Sequence, residues 1–191
     1  MFKTIKILII LFLNFFFLNI SFSEENLALK KKADAGDAIS QNNYGYNLIR
    51  GVNGSSENDE LGMEYIKKAA NQNQVNAMIT LGWNYFSGDD GLDQDFEKSI
   101  YWTTRAANLR THGMATYNLG LFYFAGLAGL PQDLDQAKKK WNLACKQWPQ
   151  NNNYNDPATL LDEINTYSNK LTRQMKKIRD DFIICISSLQ S

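Results

Sequence analysis

Gly45, Gly82 and Gly120 stand 37 and 38 residues apart, Gly51, Gly88 and Gly126 repeat those two intervals, and Ala69, Ala106 and Ala144 repeat them again. Three separate markers sharing one pair of intervals mean that one unit is used three times. A period of roughly 20 to 50 residues belongs to architectures built by stacking repeats.

Each unit holds two blocks. The first blocks read Ala38 to Gly51 (AISQNNYGYNLIRG), Ala77 to Gly88 (AMITLGWNYFSG) and Ala115 to Gly126 (ATYNLGLFYFAG), and the second blocks close with EYIKKAA, YWTTRAA and KKWNLAC. Met78, Leu81, Gly82 and Tyr85 fall at helical intervals, so the first block is a helix that turns a small residue toward a packed face. Glycine inside a helix costs about 1 kcal/mol relative to alanine. Its return to the same slot therefore predicts the close approach of a neighbouring backbone. Gly51, Gly88 and Gly126 end that helix, and Asp95 and Asp133 stand as N-caps before the next apolar-periodic stretch. One such pair cannot bury its own apolar face, so the units stack and the fold class is all-α.

The chain resembles the Sel-one-like repeat (SLR) family, relatives of the tetratricopeptide repeats. The likeness rests on Ala35-Gly36-Asp37-Ala38, on Leu81-Gly82-x-x-Tyr85-x-x-Gly88 and Leu119-Gly120-x-x-Tyr123-x-x-Gly126, and on Trp102-x-x-x-Ala106-Ala107, across about residues 33 to 145. The first unit departs with Tyr44-Gly45 and Leu48, and the third with Lys140 in place of the family's Trp and Trp141 beside it. The resemblance implies a right-handed α-solenoid of three helix hairpins, at about residues 36–71, 72–108 and 109–147. Residues 24–35 read as an N-terminal capping helix, since Lys30, Lys31, Lys32 and Ala33 stand where a preceding unit would carry its own Lys-Lys-Ala-Ala. Residues 148–157, with Asn151 to Pro157, form a turn-rich linker. Beyond it Leu160, Ile164, Tyr167, Leu171, Met175, Ile178, Phe182, Cys185 and Leu189 recur at steps of three and four, which predicts one long amphipathic helix over 158–190.

The first 23 residues read differently. Lys3 and Lys6 precede an apolar run from Ile7 to Ile20, and Ser21-Phe22-Ser23 supplies small residues for cleavage, so 1–23 is expected to be a secretory signal and the chain periplasmic or secreted. The run of 14 residues is short for a membrane span, which needs about 20, and no membrane insertion is expected once the signal is removed. Export bears on Cys145 and Cys185: an oxidising compartment lets them pair as a disulfide, and two buried free thiols are the alternative.

Composition removes several functions. With 20 basic and 20 acidic residues there is no charge footprint for nucleic acid. One His and two Cys cannot furnish the usual four ligands of a zinc cage, and no metal or cofactor is implied. His112 sits at the turn slot held by Asp37 and Gln74 in the other units, and Asp89 to Asp95 lacks the spacing of a calcium loop, so both read as turn residues. No nucleophile elbow, S-x-x-K, Walker or HExxH motif is present, so no catalytic residue is assigned.

In the family the first helices of successive units line a concave face. Its open slots here would be filled by Tyr46 and Arg50, Ile79 and Trp83, and Tyr117 and Leu121, an aromatic and aliphatic stripe suited to holding a protein or peptide. The resemblance thus implies a non-enzymatic adapter in envelope assembly or regulation. Exported cysteine-rich members linked to β-lactam or peptidoglycan-fragment binding and hydrolysis supply the alternative. The C-terminal helix could fill the stripe from within the molecule, or mediate self-association through its three-four spacing.

Overall fold

A computed structural model describes residues 24–109, 113–148, 157–167 and 171–190. The expected signal segment and His112 lie outside these residues. Among them every regular element is a helix: α1 (residues 24–34), α2 (Ala38–Arg50), α3 (Asp59–Asn71), α4 (Val75–Ser87), α5 (Phe96–Asn108), α6 (Gly113–Ala125), α7 (Leu134–Gln147), α8 (Pro157–Thr166) and α9 (Arg173–Gln190). The chain divides into two compact units at Ala77/Met78, within α4.

The same local chemistry builds each hairpin. Asn58, Asp95 and Asp133 occupy one slot and cap α3, α5 and α7, their side chains accepting from the backbone N–H of Leu61, Lys98 and Gln136 at 3.0, 2.9 and 2.9 Å. The loop before each cap turns through Gly51, Gly88 or Gly126, all with positive φ (58°, 78° and 68°), which a side chain would strain. The cap residue's own N–H then donates to Leu48, Tyr85 or Tyr123 at 2.7–2.8 Å, fixing the second helix against the first. Asp37 and Gln74, at the turn slot shared with His112, accept from Ser40 N and Ala77 N at 2.7 and 2.6 Å.

The recurrent glycine inside the first helix meets a different neighbour each time. A Cβ on Gly45 would lie 2.7 Å from the carbonyl oxygen of Gly62, so there two backbones touch. On Gly82 it would strike the Thr103 hydroxyl, and on Gly120 the Trp141 indole. Ile66, Thr103 and Trp141 share one slot of the second helix, so the space left by the missing Cβ admits a larger residue in the third repeat. Trp141 uses it to donate from Nε1 to the Tyr117 carbonyl at 3.1 Å. Ala69, Ala106 and Ala144 are completely buried, which explains the third marker: only a small residue lets the helices close up there.

In the first unit α1 caps the hairpin of α2 and α3. Ala33 is buried with Tyr44, Leu48 and Tyr65, Gln41 Nε2 donates to the Ala33 carbonyl at 3.1 Å, and the Tyr65 hydroxyl donates to Asp34. Burial, with that carboxylate beside it, pushes the Tyr65 phenol up to about 12.

In the second unit a single apolar cluster joins Tyr117, Leu121, Phe124 and Trp141 to Leu160, Ile164, Met175, Ile178, Phe182 and Ile186. The C-terminal segment departs from expectation here: it forms two helices, α8 and α9, packed on each other, where the apolar period predicted one. The Thr172 hydroxyl accepts from Met175 N at 3.2 Å and starts α9 afresh as an N-cap. The predicted apolar residues do pack on the cluster, but from two shorter helices and, for Tyr167 and Leu171, from the segment between them.

Candidate binding surface

The six residues expected to line one open stripe have unlike surroundings. On α2, Tyr46 is 52% exposed and Ile39 62% exposed. Arg50 is also exposed, its guanidinium 5.9 Å from the centre of the Tyr46 ring. With Asn43 these residues follow steps of four, three and four, one continuous row along the helix. Arg50 is the only charged side chain of α2.

On α4, Ile79 and Trp83 are half-buried. Trp83 meets Tyr167, which follows α8, edge to face at 6.1 Å, and lies 5.4 Å from Phe86.

On α6, Tyr117 and Leu121 are fully buried, so the expectation that they are open is corrected. The cover comes from the chain itself. Phe182 of α9 stacks on Tyr117 at 5.5 Å and on Trp141 at 5.2 Å, Trp148 meets Tyr117 edge to face at 6.2 Å, and the Tyr117 hydroxyl donates to Glu163 of α8 at 2.9 Å. Cys145 of α7 and Cys185 of α9 are joined by a disulfide with Cα atoms 6.3 Å apart, tying the cover to the third repeat.

Burial dominates the electrostatics of this contact. It raises the Glu163 carboxyl above its ordinary value, with the Tyr117 hydrogen bond opposing, and lifts the Tyr117 phenol well above 10, helped by the adjacent carboxylate. Tyr167 is raised in the same way, by burial first and then by Glu163 and Asp89. Sequence reasoning did not single out Glu163, although its place beside Ile164, three residues after Leu160, marks it as flanking the apolar face.

The acidic run after α4 works as a turn: Asp90, at positive φ, accepts from Asn84 Nδ2 at 2.9 Å, and Asp95 caps α5. Among the described residues no group of three or more His, Cys, Asp or Glu side chains is placed to hold a metal ion. Nor is any helix among them long and apolar enough to cross a membrane.

The three hairpins coincide with three matches to the Sel1 repeat family, at residues 38–74, 75–110 and 113–147. The chain belongs to the Sel1 repeat family. It is similar to a Sel1 repeat protein from Oxalobacter formigenes at 31% identity, covering 63% of this chain and 88% of that one with a TM-score of 0.56. A protective antigen present in uropathogenic Escherichia coli strains and displaying an SLR fold is 21% identical and aligns over 87% of this chain with a TM-score of 0.64. Only 33% of that longer protein is covered, and the likeness extends to the fold alone. None of the curated proteins matches the chain. The fold is therefore of the all-α solenoid class, and Sel1 repeat proteins are in general protein-interaction scaffolds without catalytic function.

Proposed function

We propose that this chain is an exported, non-enzymatic scaffold that holds a protein or peptide partner through the first helix of its first repeat, in envelope assembly or regulation. One observation carries the reading: the row that the chain covers for itself on α6 stands open on α2, where an exposed tyrosine, isoleucine and arginine share one face. Tyrosine and arginine are the side chains most often found to dominate interface energetics. Export is supported by the composition of residues 1–23 and by the Cys145–Cys185 bridge, which suits an oxidising compartment.

Two experiments test the reading. Affinity capture from envelope fractions with the wild type and a Tyr46→Ala/Arg50→Ala variant should show a partner retained only by the wild type; equal recovery would remove α2 from the binding surface. N-terminal sequencing of the protein from its native host should begin at Glu24, and a retained Met1 would count against export.

A further inference from the structure

We infer that Asn53-Gly54 is a self-modifying site, where the asparagine amide is lost without an enzyme and the two products act differently on the attachment of α1. The reaction involves no partner and consumes only water.

Asn53 and Gly54 are the sequence's one Asn-Gly pair. They form the centre of a tight turn: Ser55 N donates to the Val52 carbonyl at 3.0 Å, and φ is 55° at Asn53 and 80° at Gly54. The turn recurs after α4 and after α6, where Asp90-Gly91 (φ 51° and 78°) and Ala128-Gly129 (φ 52° and 75°) take the same two places. The backbone thus requires no amide at the first place, and only the first repeat puts one there. Both residues are exposed, glycine has no side chain to shield its nitrogen, and among the described residues no hydrogen bond holds the Gly54 N–H.

Once that N–H loses its proton to hydroxide, the nitrogen attacks Cγ of Asn53. An N–Cγ bond forms, the Cγ–Nδ2 bond breaks, and the departing nitrogen takes a proton from water and leaves as ammonia. Water then opens the five-membered ring at either carbonyl. Opening at Cγ gives aspartate in an unchanged main chain. Opening at the main-chain carbonyl gives isoaspartate, whose main chain is one carbon longer and whose carboxylate hangs directly from Cα.

The amide is the head of a one-way ladder. Asn53 Nδ2 donates to Asn47 Oδ1 at 3.1 Å, Asn47 Nδ2 to Asn26 Oδ1 of α1 at 3.4 Å, and Asn26 Nδ2 to the Ser55 hydroxyl at 2.9 Å. A carboxylate cannot donate, so the buried Asn47 must turn its amide round to keep a partner. The second repeat holds that arrangement: Asn84 and Asp90 stand 37 residues after Asn47 and Asn53, and Asn84 Nδ2 donates to the Asp90 carboxylate at 2.9 Å. With Asn26 turned as well and the Ser55 hydroxyl donating, the whole ladder reverses and still holds α1. Isoaspartate breaks it, because the lengthened main chain displaces Ser55 and the shortened carboxylate falls short of Asn47.

The test incubates the folded full chain at mildly alkaline pH, with peptide mapping and amide hydrogen exchange as the readouts. Aspartate and isoaspartate should accumulate at position 53, faster as hydroxide rises, and Asn53→Ala should yield neither. In the isoaspartate fraction the amides of residues 28–30 should exchange about two- to tenfold faster, the worth of one hydrogen bond, whereas Asn53→Asp should exchange as the fresh wild type does. Conversion only after unfolding in urea would overturn the inference, since the turn would then protect the amide. Isoaspartate with unchanged exchange in α1, or equal loosening by Asn53→Asp, would overturn the link to the helix.

Discussion

Ile39, Asn43, Tyr46 and Arg50 on α2 and Met114, Asn118, Leu121 and Ala125 on α6 occupy the same four slots of the repeat, 75 residues apart. The first row is exposed throughout; in the second Asn118 and Leu121 are buried, and Met114 and Ala125 pack against the cluster that the C-terminal helices complete. The difference lies in what each row asks of its surroundings. An arginine and a tyrosine hydroxyl keep the α2 row compatible with water, whereas Met114, Leu121 and Ala125 on the α6 row gain by being covered. Membership of a repeat therefore fixes where a side chain stands on its helix and leaves open what it faces.

Breaking the covered row should cost most. Phe182→Ala removes the ring stacked on Tyr117 and Trp141 and is expected to lower stability by about 3–5 kcal/mol in urea unfolding, while Tyr46→Ala on the open row should stay within about 0.5 kcal/mol. Similar losses for the two would erase the distinction. Cys145→Ser/Cys185→Ser frees α9 from α7 and should cost about 2–4 kcal/mol, measured without reductant in wild type and variant; no change would mean that packing alone holds the cover.

The polar contact under the cover gives a smaller effect with a definite sign. Tyr117→Phe leaves the Glu163 carboxyl without its donor and should cost about 1–3 kcal/mol. Burial raises the Glu163 value in the folded chain, so the folded state holds that proton more tightly than the unfolded one. Its contribution is therefore complete below the unfolded carboxylate range and fades as pH rises through the raised folded value. Glu163→Gln should raise stability near neutrality and flatten that part of the pH profile; an unchanged slope in urea unfolding across the acid range would contradict the assignment. Smallest is Thr103→Val: the hydroxyl is buried with no hydrogen-bond partner among the described residues, so replacement by a methyl should leave the melting temperature unchanged or slightly higher, whereas a clear fall would reveal a bond to that oxygen.

What the sequence made legible follows the range of the interactions. Caps at Asp95 and Asp133, turns at Gly51, Gly88 and Gly126, and the close approach at Gly45 each depend on groups a few residues away or on the neighbouring helix of one hairpin, and their period exposed them. The break between α8 and α9 was not legible, because residues 167–172 contain neither Gly nor Pro and the apolar period runs on through Tyr167 and Leu171. Thr172 caps α9, and residues of both short helices pack on the same cluster. The burial of Tyr117 was hidden for a like reason: nothing within its repeat covers it completely, and Phe182 and Glu163 arrive from 65 and 46 residues further on.

Hydroxyl-radical footprinting of the native protein, read by mass spectrometry at Tyr46 on the open α2 row and at Tyr117 beneath the C-terminal cover of α6, measures the contrast between the open and the covered helix directly. Tyr46 should be oxidised readily and Tyr117 protected until the chain unfolds. Equal oxidation of the two in the folded state would mean that the C-terminal helices do not cover the third repeat, and would contradict the account.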